Sequence, residues 1–347
     1  IFLWWYEAVL ITTPKDKPRE RYMKSGSNLE KVILSGAPVV TAELGPPVSA
    51  DPAPVLQKAQ LLKGFCDAVN ITDCQTAIVR LSSIAGAILV MKEGLEPVIQ
   101  MTCRDRNRIA IQSDLLGAYA LGIRNCLCIA GDHQRFSAVG RFKGHPGAKN
   151  VYDIDTCQMV GILKKMREEG LQEGGDKIEY PPRFFIGATW TPTAEPLDFR
   201  PINLKKKIQS GADFIQTQGI FHIDLFKHQM QRIRAMGLHE KAAILAGIIV
   251  PRSLSMLKYM SSSVPGILIP ERFLKRMADV KEKAGADKDE VKTRQEEEGI
   301  KIAVELVHQV LDIEGVRGIH IQSISWEKAV GRIVKTVGLY PRPEIKS

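Results

Sequence analysis

Ten polar residues stand at the ends of short apolar runs: Glu43, Thr72, Gln100, Thr102, Asp132, Thr189, Gln216, Gln218, Gln322 and Ser323. Two of them, Glu43 and Asp132, are carboxylates, groups that move protons as general acids or bases and that stabilise positive charge. The plainer alternative for each is an ion pair with a neighbouring Arg or Lys. The amides among the ten both donate and accept hydrogen bonds.

These residues share a position because of the pattern that carries them. Eight β-branched or apolar runs recur: PVVTAEL (38–44), DAVNIT (67–72), EPVIQMT (96–102), NCLCIAGD (125–132), FFIGAT (184–189), DFIQTQ (213–218), AAILAGIIV (242–250) and GIHIQS (318–323). Helical periodicity follows them, as over 54–65, 81–92, 109–121, 156–169, 203–210 and 224–236. Gly122, Gly211, Gly237 and Gly315 stand at the turns back to the next strand, where a left-handed helix cap is useful. Eight such units predict an α/β fold, a closed (β/α)8 TIM barrel, with extra helices near 254–260, 270–284 and 287–313 between the seventh and eighth strands. In that architecture the loops after the strands converge at one mouth, so all ten polar residues are expected around one site.

The 347 residues, 44% hydrophobic and 25% charged, suit a globular protein and exclude a disordered or fibrous chain. No uninterrupted apolar window is long enough to predict a membrane span. The net charge of +9 is spread thinly, and the most charged stretch, Glu271 to Lys301, balances nine basic against nine acidic residues. That distribution favours an anionic small molecule over nucleic acid as partner. The six cysteines form no CxxC pair, which fits a reducing, cytoplasmic setting; Cys126 and Cys128 share one face of a strand as small core residues, and no metal site is expected.

Residues 1–22 read differently from the rest. IFLWWYEAVLI is too short to span a membrane, and it lacks the basic start and small-residue cleavage site of a secretory signal. We expect an amino-terminal extension, either a flexible tail or a partner-docking segment presenting Phe2, Trp4, Trp5 and Tyr6. A single barrel domain over 23–347 would follow, opened by a short helix with Ser27 or Asn28 as cap and Gly36 as stop.

The runs TAELGPP (41–47), MTC (101–103), AGDH (130–133), NLKKKIQSGAD (203–213), IQTQGIF (215–221) and GVRGIHIQSIS (315–325), in this order, resemble the methylenetetrahydrofolate reductase family of flavin-dependent barrels. The resemblance implies hydride transfer from reduced flavin to 5,10-methylenetetrahydrofolate, giving 5-methyltetrahydrofolate. It casts Glu43 as the general acid that opens the folate ring, a role helped by apolar Ala42, Leu44 and Pro46. Asp132 becomes the ionised stabiliser of the cationic intermediate beside the flavin, and Gln218 the residue that binds the pterin, with Phe221 as a further substrate contact. Thr72, Gln100, Gly131, Asp132, Asp155, Ala188 and Lys207 are the implied flavin contacts, Lys207 on the phosphate side.

Several positions depart from the family pattern. Gln100 stands where a histidine is usual, Ala130 replaces the arginine before Gly131, the Asp153–Asp155 region replaces a tyrosine, and Ser255 falls where an aromatic ring stacks on nicotinamide. The implied cofactor is FAD in the first place and FMN in the second. The pattern resembles the branch of anaerobic one-carbon metabolism in which a cysteine-rich iron–sulfur partner feeds electrons to the flavin; NADH or NADPH is the other candidate donor, and an oligomer is compatible. A pterin-binding methyltransferase barrel without flavin is the competing reading, followed by a non-catalytic assembly subunit that retains the barrel.

Overall fold

A computed structural model of the chain describes residues 23–134, 144–284 and 287–345. The proposed docking segment 1–22 lies outside the described residues. Eight parallel strands close in sequence order: β1 (Val39–Leu44), β2 (Ala68–Ile71), β3 (Pro97–Thr102), β4 (Asn125–Ile129), β5 (Phe185–Trp190), β6 (Phe214–Gly219), β7 (Ala243–Ile249) and β8 (Val316–Gln322). Val39 pairs with Gly318 and Ala42 with Ile321, which joins the last strand to the first. All eight apolar runs are strands. Their near-continuous hydrophobicity is what a parallel sheet covered on both faces requires.

The helices pack outside: α2 (Ala53–Leu62), α3 (Ser83–Lys92), α4 (Arg108–Ala120), α5 (Thr156–Glu168), α6 (Phe199–Ser210) and α7 (Ile223–Ala235), then α8 (Leu254–Ser263), α9 (Glu271–Lys283) and α10 (Lys288–Leu311) before β8, and α11 (Lys328–Thr336) after it. Helix α6 starts earlier than its periodicity suggests, since Pro201 fits the first turn, where no intrahelical N–H is needed. Helix α1 (Asn28–Ser35) is capped by Ser27, whose Oγ accepts the Glu30 N–H at 3.1 Å, and it stops at Gly36 with φ 87°. Its Leu29 and Val32 join Val39, Ala68, Val98, Leu127, Phe185, Phe214, Ala243 and Leu245 in a small inner core that closes the amino-terminal end of the barrel. A larger outer core lies between strands and helices. With one end plugged, the mouth at the strand carboxyl ends is where the polar residues gather.

Candidate active site at the barrel mouth

Alternation along each strand decides which residues see the mouth. One layer above the inner core, Asn70 Nδ2 donates to Gln216 Oε1 at 2.6 Å, and Gln216 Nε2 reaches Thr41 Oγ1 at 3.3 Å. Thr41 Oγ1 lies 2.9 Å from His320 Nδ1. This network crosses the barrel interior, so Gln216 belongs to a buried layer beneath the mouth, as does buried Gln100, whose carbonyl accepts the Ser83 hydroxyl. Burial pushes His320 down to about 3, keeping it neutral at the centre of the barrel. Two residues further along the strands come Glu43, Thr72 and Gln322. Glu43 and Gln322, with Thr189 and Gln218, are half-buried at strand ends otherwise packed shut, and they line the opening. Gln218 sits where β6 shifts register against β7, a bulge of the kind that re-aims a side chain beside a site. Its Oε1 accepts the Gly219 N–H at 3.0 Å.

Burial pushes the Glu43 carboxyl up to about 7; negative charge on Glu327 adds to the rise, and Lys58 opposes it. Lys58 Nζ, from α2, donates to the Gly45 carbonyl at 2.9 Å and pairs with Glu327 at 3.0 Å. The plain alternative for Glu43, a direct ion pair, is therefore not what is found: the cation beside it is engaged by another carboxylate. Such a carboxyl holds and gives up a proton near neutral pH.

Asp132 is exposed, and its Oδ2 accepts the Thr76 N–H at 2.9 Å. The loop after β2 that supplies this amide carries three non-glycine residues with positive φ: Cys74 at 45°, Thr76 at 57° and Ala77 at 56°. Buried Arg104 holds the two loops together, with Nη1 donating to the Asp132 main-chain carbonyl at 3.0 Å and Nη2 to that of Cys74 at 3.1 Å. Beside it, Asp73 Oδ2 accepts from the Thr102 N–H and hydroxyl, both at 3.1 Å, and pairs with Arg106 at 2.7 Å. Lys58, Glu327, Asp73, Arg104 and Arg106 were missed from sequence. Only the alternating charges of Arg104-Asp105-Arg106, directly after β3, offered a signal for any of them.

Gly131 has φ +85°, and a Cβ there would meet Arg104 at 3.0 Å and Thr102 at 3.1 Å, so a side chain at this position is disfavoured by both backbone and space. Its carbonyl accepts the hydroxyl of Tyr152 at 3.0 Å. Tyr152, held at φ 40°, places an aromatic ring by this loop although the aligned Asp153–Asp155 region lacks one. Asp155 itself caps α5 in a reciprocal capping box with Gln158, at 2.7 and 2.8 Å. Lys207 Nζ donates to the Thr189 carbonyl at 2.6 Å, and burial pushes its ammonium down from the usual lysine range. Thr72 Oγ1 and Ser323 Oγ are buried at strand ends without a hydrogen-bond partner among the described residues.

Two expected contacts are not brought to the mouth. Ala188 faces outward on β5 and packs in the outer core, because the inward positions of that strand are Phe185, Gly187 and Thr189. Phe221 is buried beyond the end of β6, its ring edge-on to Phe273 of α9 with centroids 6.0 Å apart. Cys126 and Cys128 are buried core residues, and among the described residues no group of three or more His, Cys, Asp or Glu side chains is arranged to hold a metal.

Fold and site together define a (β/α)8 barrel of the enzyme kind, with a protonatable carboxyl and an exposed carboxylate at its mouth. A family model described as methylenetetrahydrofolate reductase matches residues 28–338, and the chain belongs to that family. It is 25% identical over 255 residues to methylenetetrahydrofolate reductase 1 of Schizosaccharomyces pombe, an alignment covering 71% of this chain and 36% of that protein. It is 24% identical over 250 residues to 5,10-methylenetetrahydrofolate reductase of Pectobacterium carotovorum subsp. carotovorum, covering 72% of each. The chain spans only about a third of the length of the fungal and nematode relatives it matches. Among solved structures, an uncharacterised protein from Clostridium thermocellum described as binding two copies of 5-methyl-5,6,7,8-tetrahydrofolic acid superposes with a TM-score of 0.59. It has 13% identity and covers 89% of this chain and 98% of its own, a likeness of fold.

Proposed function

We propose that this chain reduces 5,10-methylenetetrahydrofolate to 5-methyltetrahydrofolate, with Glu43 as the acid and a bound flavin as the hydride donor. The observation that carries the reading is the Glu43 carboxyl, pushed up to about 7 at the mouth of a barrel of this family. Opening the five-membered ring of the substrate needs a proton at the departing nitrogen, and a carboxyl that is still partly protonated near neutrality supplies it. The ring-opened carbon carries positive charge, which the exposed carboxylate of Asp132 favours, oriented by the Thr76 amide, with Arg104 holding the backbone carbonyl of the same residue. Gln218 supplies an amide that can pair with the pterin ring.

The mouth fits a flavin in two respects. The buried hydroxyls of Thr72 and Ser323 lack partners among the described residues, and Gly131 lets the backbone of the loop after β4 come close to a ligand. Thr72, Gly131 and Asp132 would hold such a group, with Lys207 toward its phosphate side; when bound it supplies the hydride. Gln100 would act from the layer beneath and Asp155 through the start of α5. FAD is our first choice and FMN the second. For the electrons we favour an iron–sulfur partner over NADH or NADPH, since Ser255 engages Ser253 at 2.9 Å and offers no ring to stack on nicotinamide.

The deciding experiment is to purify the protein, identify any released flavin, and follow methylenetetrahydrofolate reduction with NADH, NADPH and a reduced low-potential dye. Colourless protein that binds folate would favour a methyltransferase barrel. Turnover with flavin present and loss of turnover in Glu43→Gln support the reductase.

A further inference from the structure

Beyond Glu43 and Asp132, the carboxylate of Glu327 bears on the acid. Glu327 is only 4% exposed, at the turn between β8 and α11. The backbone that delivers it is strained: Ile324 and Ser325, both non-glycine, take φ of 45° and 61° in succession, a conformation that persists only when its surroundings impose it. The adjacent Trp326 is buried, with the Arg252 guanidinium 5.6 Å from its ring centroid. Glu327 is thus held inside on a turn that resists relaxation.

Its partner is Lys58, whose Nζ lies 3.0 Å from Glu327 Oε1, a charge contact without hydrogen-bond geometry, and donates at 2.9 Å to the carbonyl of Gly45, two residues beyond Glu43. No hydrogen bond or salt bridge among the described residues reaches the Glu43 carboxyl itself. The charged groups that act on it come from two elements: Lys58 on α2 and Glu327 before α11. The strands beside β1 present Asn70, neutral His320 and Gln322, and Asp132 is engaged by Thr76 beyond β2.

We propose that Glu327 is a positioning residue for the acid: it pairs with Lys58, withholds that cation from Glu43, and so keeps Glu43 a proton donor rather than one half of an ion pair. This rests on the reading of Glu43 as the acid. The burial of Glu327 is explained by the same arrangement, since a carboxylate so placed acts on Glu43 through charge without touching substrate. The rise that its charge gives the Glu43 carboxyl agrees in direction.

The test is the pH dependence of folate reduction, read beside the infrared carbonyl band of protonated Glu43, which is assigned by its disappearance in Glu43→Gln. Glu327→Gln removes the negative charge and frees Lys58, so the pH at which both the band and the acid-dependent rate are half lost should fall by about one unit, the effect of a near charge. Lys58→Met should move the midpoint upward, which keeps the proposal falsifiable if Glu327→Gln fails to fold. Glu327→Asp should restore most of the wild-type midpoint. Midpoints that stay in place in both charge variants overturn the role of Glu327 while leaving Glu43 as the acid. Turnover retained in Glu43→Gln overturns the parent reading instead.

Discussion

Replacing Glu43 by Gln keeps the shape of the side chain and removes its proton. With its carboxyl pushed up to about 7, Glu43 is about half protonated at neutral pH, whereas an ordinary glutamate would be roughly 0.3% protonated, so its surroundings multiply the acid form about 150-fold. The expected loss of folate reduction in a single turnover is about 10² to 10⁴, the usual contribution of general acid catalysis, with any bound flavin retained. The same group leaves a signature in stability. In the unfolded chain the carboxyl loses its proton near 4.5, while in the folded barrel it keeps it to about 7. Folding stability therefore falls as pH rises through that window, by on the order of 3 kcal/mol once both states are ionised. Glu43→Gln escapes that loss. Urea unfolding of the two proteins should give equal stabilities at or below pH 4.5 and a more stable variant at about pH 8. A variant that keeps most of its turnover, or that gains no stability at alkaline pH, refutes the assignment of a proton to this carboxyl.

Asp132→Asn should raise the reduction potential of the bound flavin and slow hydride delivery to folate, because a negative charge beside the isoalloxazine disfavours its anionic reduced form; a redox titration showing an unchanged or lower potential would place Asp132 elsewhere. The isolated chain should be reduced slowly by NADH and NADPH and rapidly by a low-potential dye, and stopped-flow reduction by NADH at a full catalytic rate would return it to the nucleotide-dependent mode. Gly299→Ala should cost more than about 2 kcal/mol in denaturant unfolding, since a Cβ on this α10 residue would lie 1.7 Å from the Pro251 carbonyl oxygen, where the helix meets the chain leaving β7; a near-neutral change would mean that the two segments part without cost.

The division between what could be read in the sequence and what could not follows from how each feature is encoded. A parallel strand covered on both faces is written as an unbroken apolar run, so all eight strands are legible from composition and spacing alone. Their ends mark the mouth, and Glu43, Thr72, Asp132 and Gln218 could be placed there before any coordinates. Ala188 is turned from the mouth by the pleat, which a match of sequence positions does not show, and Phe221 lies beyond the end of β6, buried against α9. One residue of offset turns a side chain from the mouth into the outer core. Tyr152 was overlooked for the opposite reason: its positive φ lets a residue ahead of the aligned segment reach back to Gly131, and backbone geometry of that kind has no compositional trace.

The pairing of Lys58 with Glu327 is less legible still, because it joins the helix after the first strand to the turn after the last and exists only once the barrel has closed. Closure is also what makes the pair useful. Strands β1 and β8 are neighbours only through the hydrogen bonds that complete the ring, and the turn leaving β8 then carries Glu327 to the side of β1 on which Lys58 waits. A carboxyl on an open sheet edge would have water or a mobile lysine to ionise it. Inside the closed ring its cation is already engaged, and burial then holds its proton into the neutral range. The topology that makes the fold readable as eight repeats is thus the same topology that sets the acidity of the carboxyl proposed as the acid.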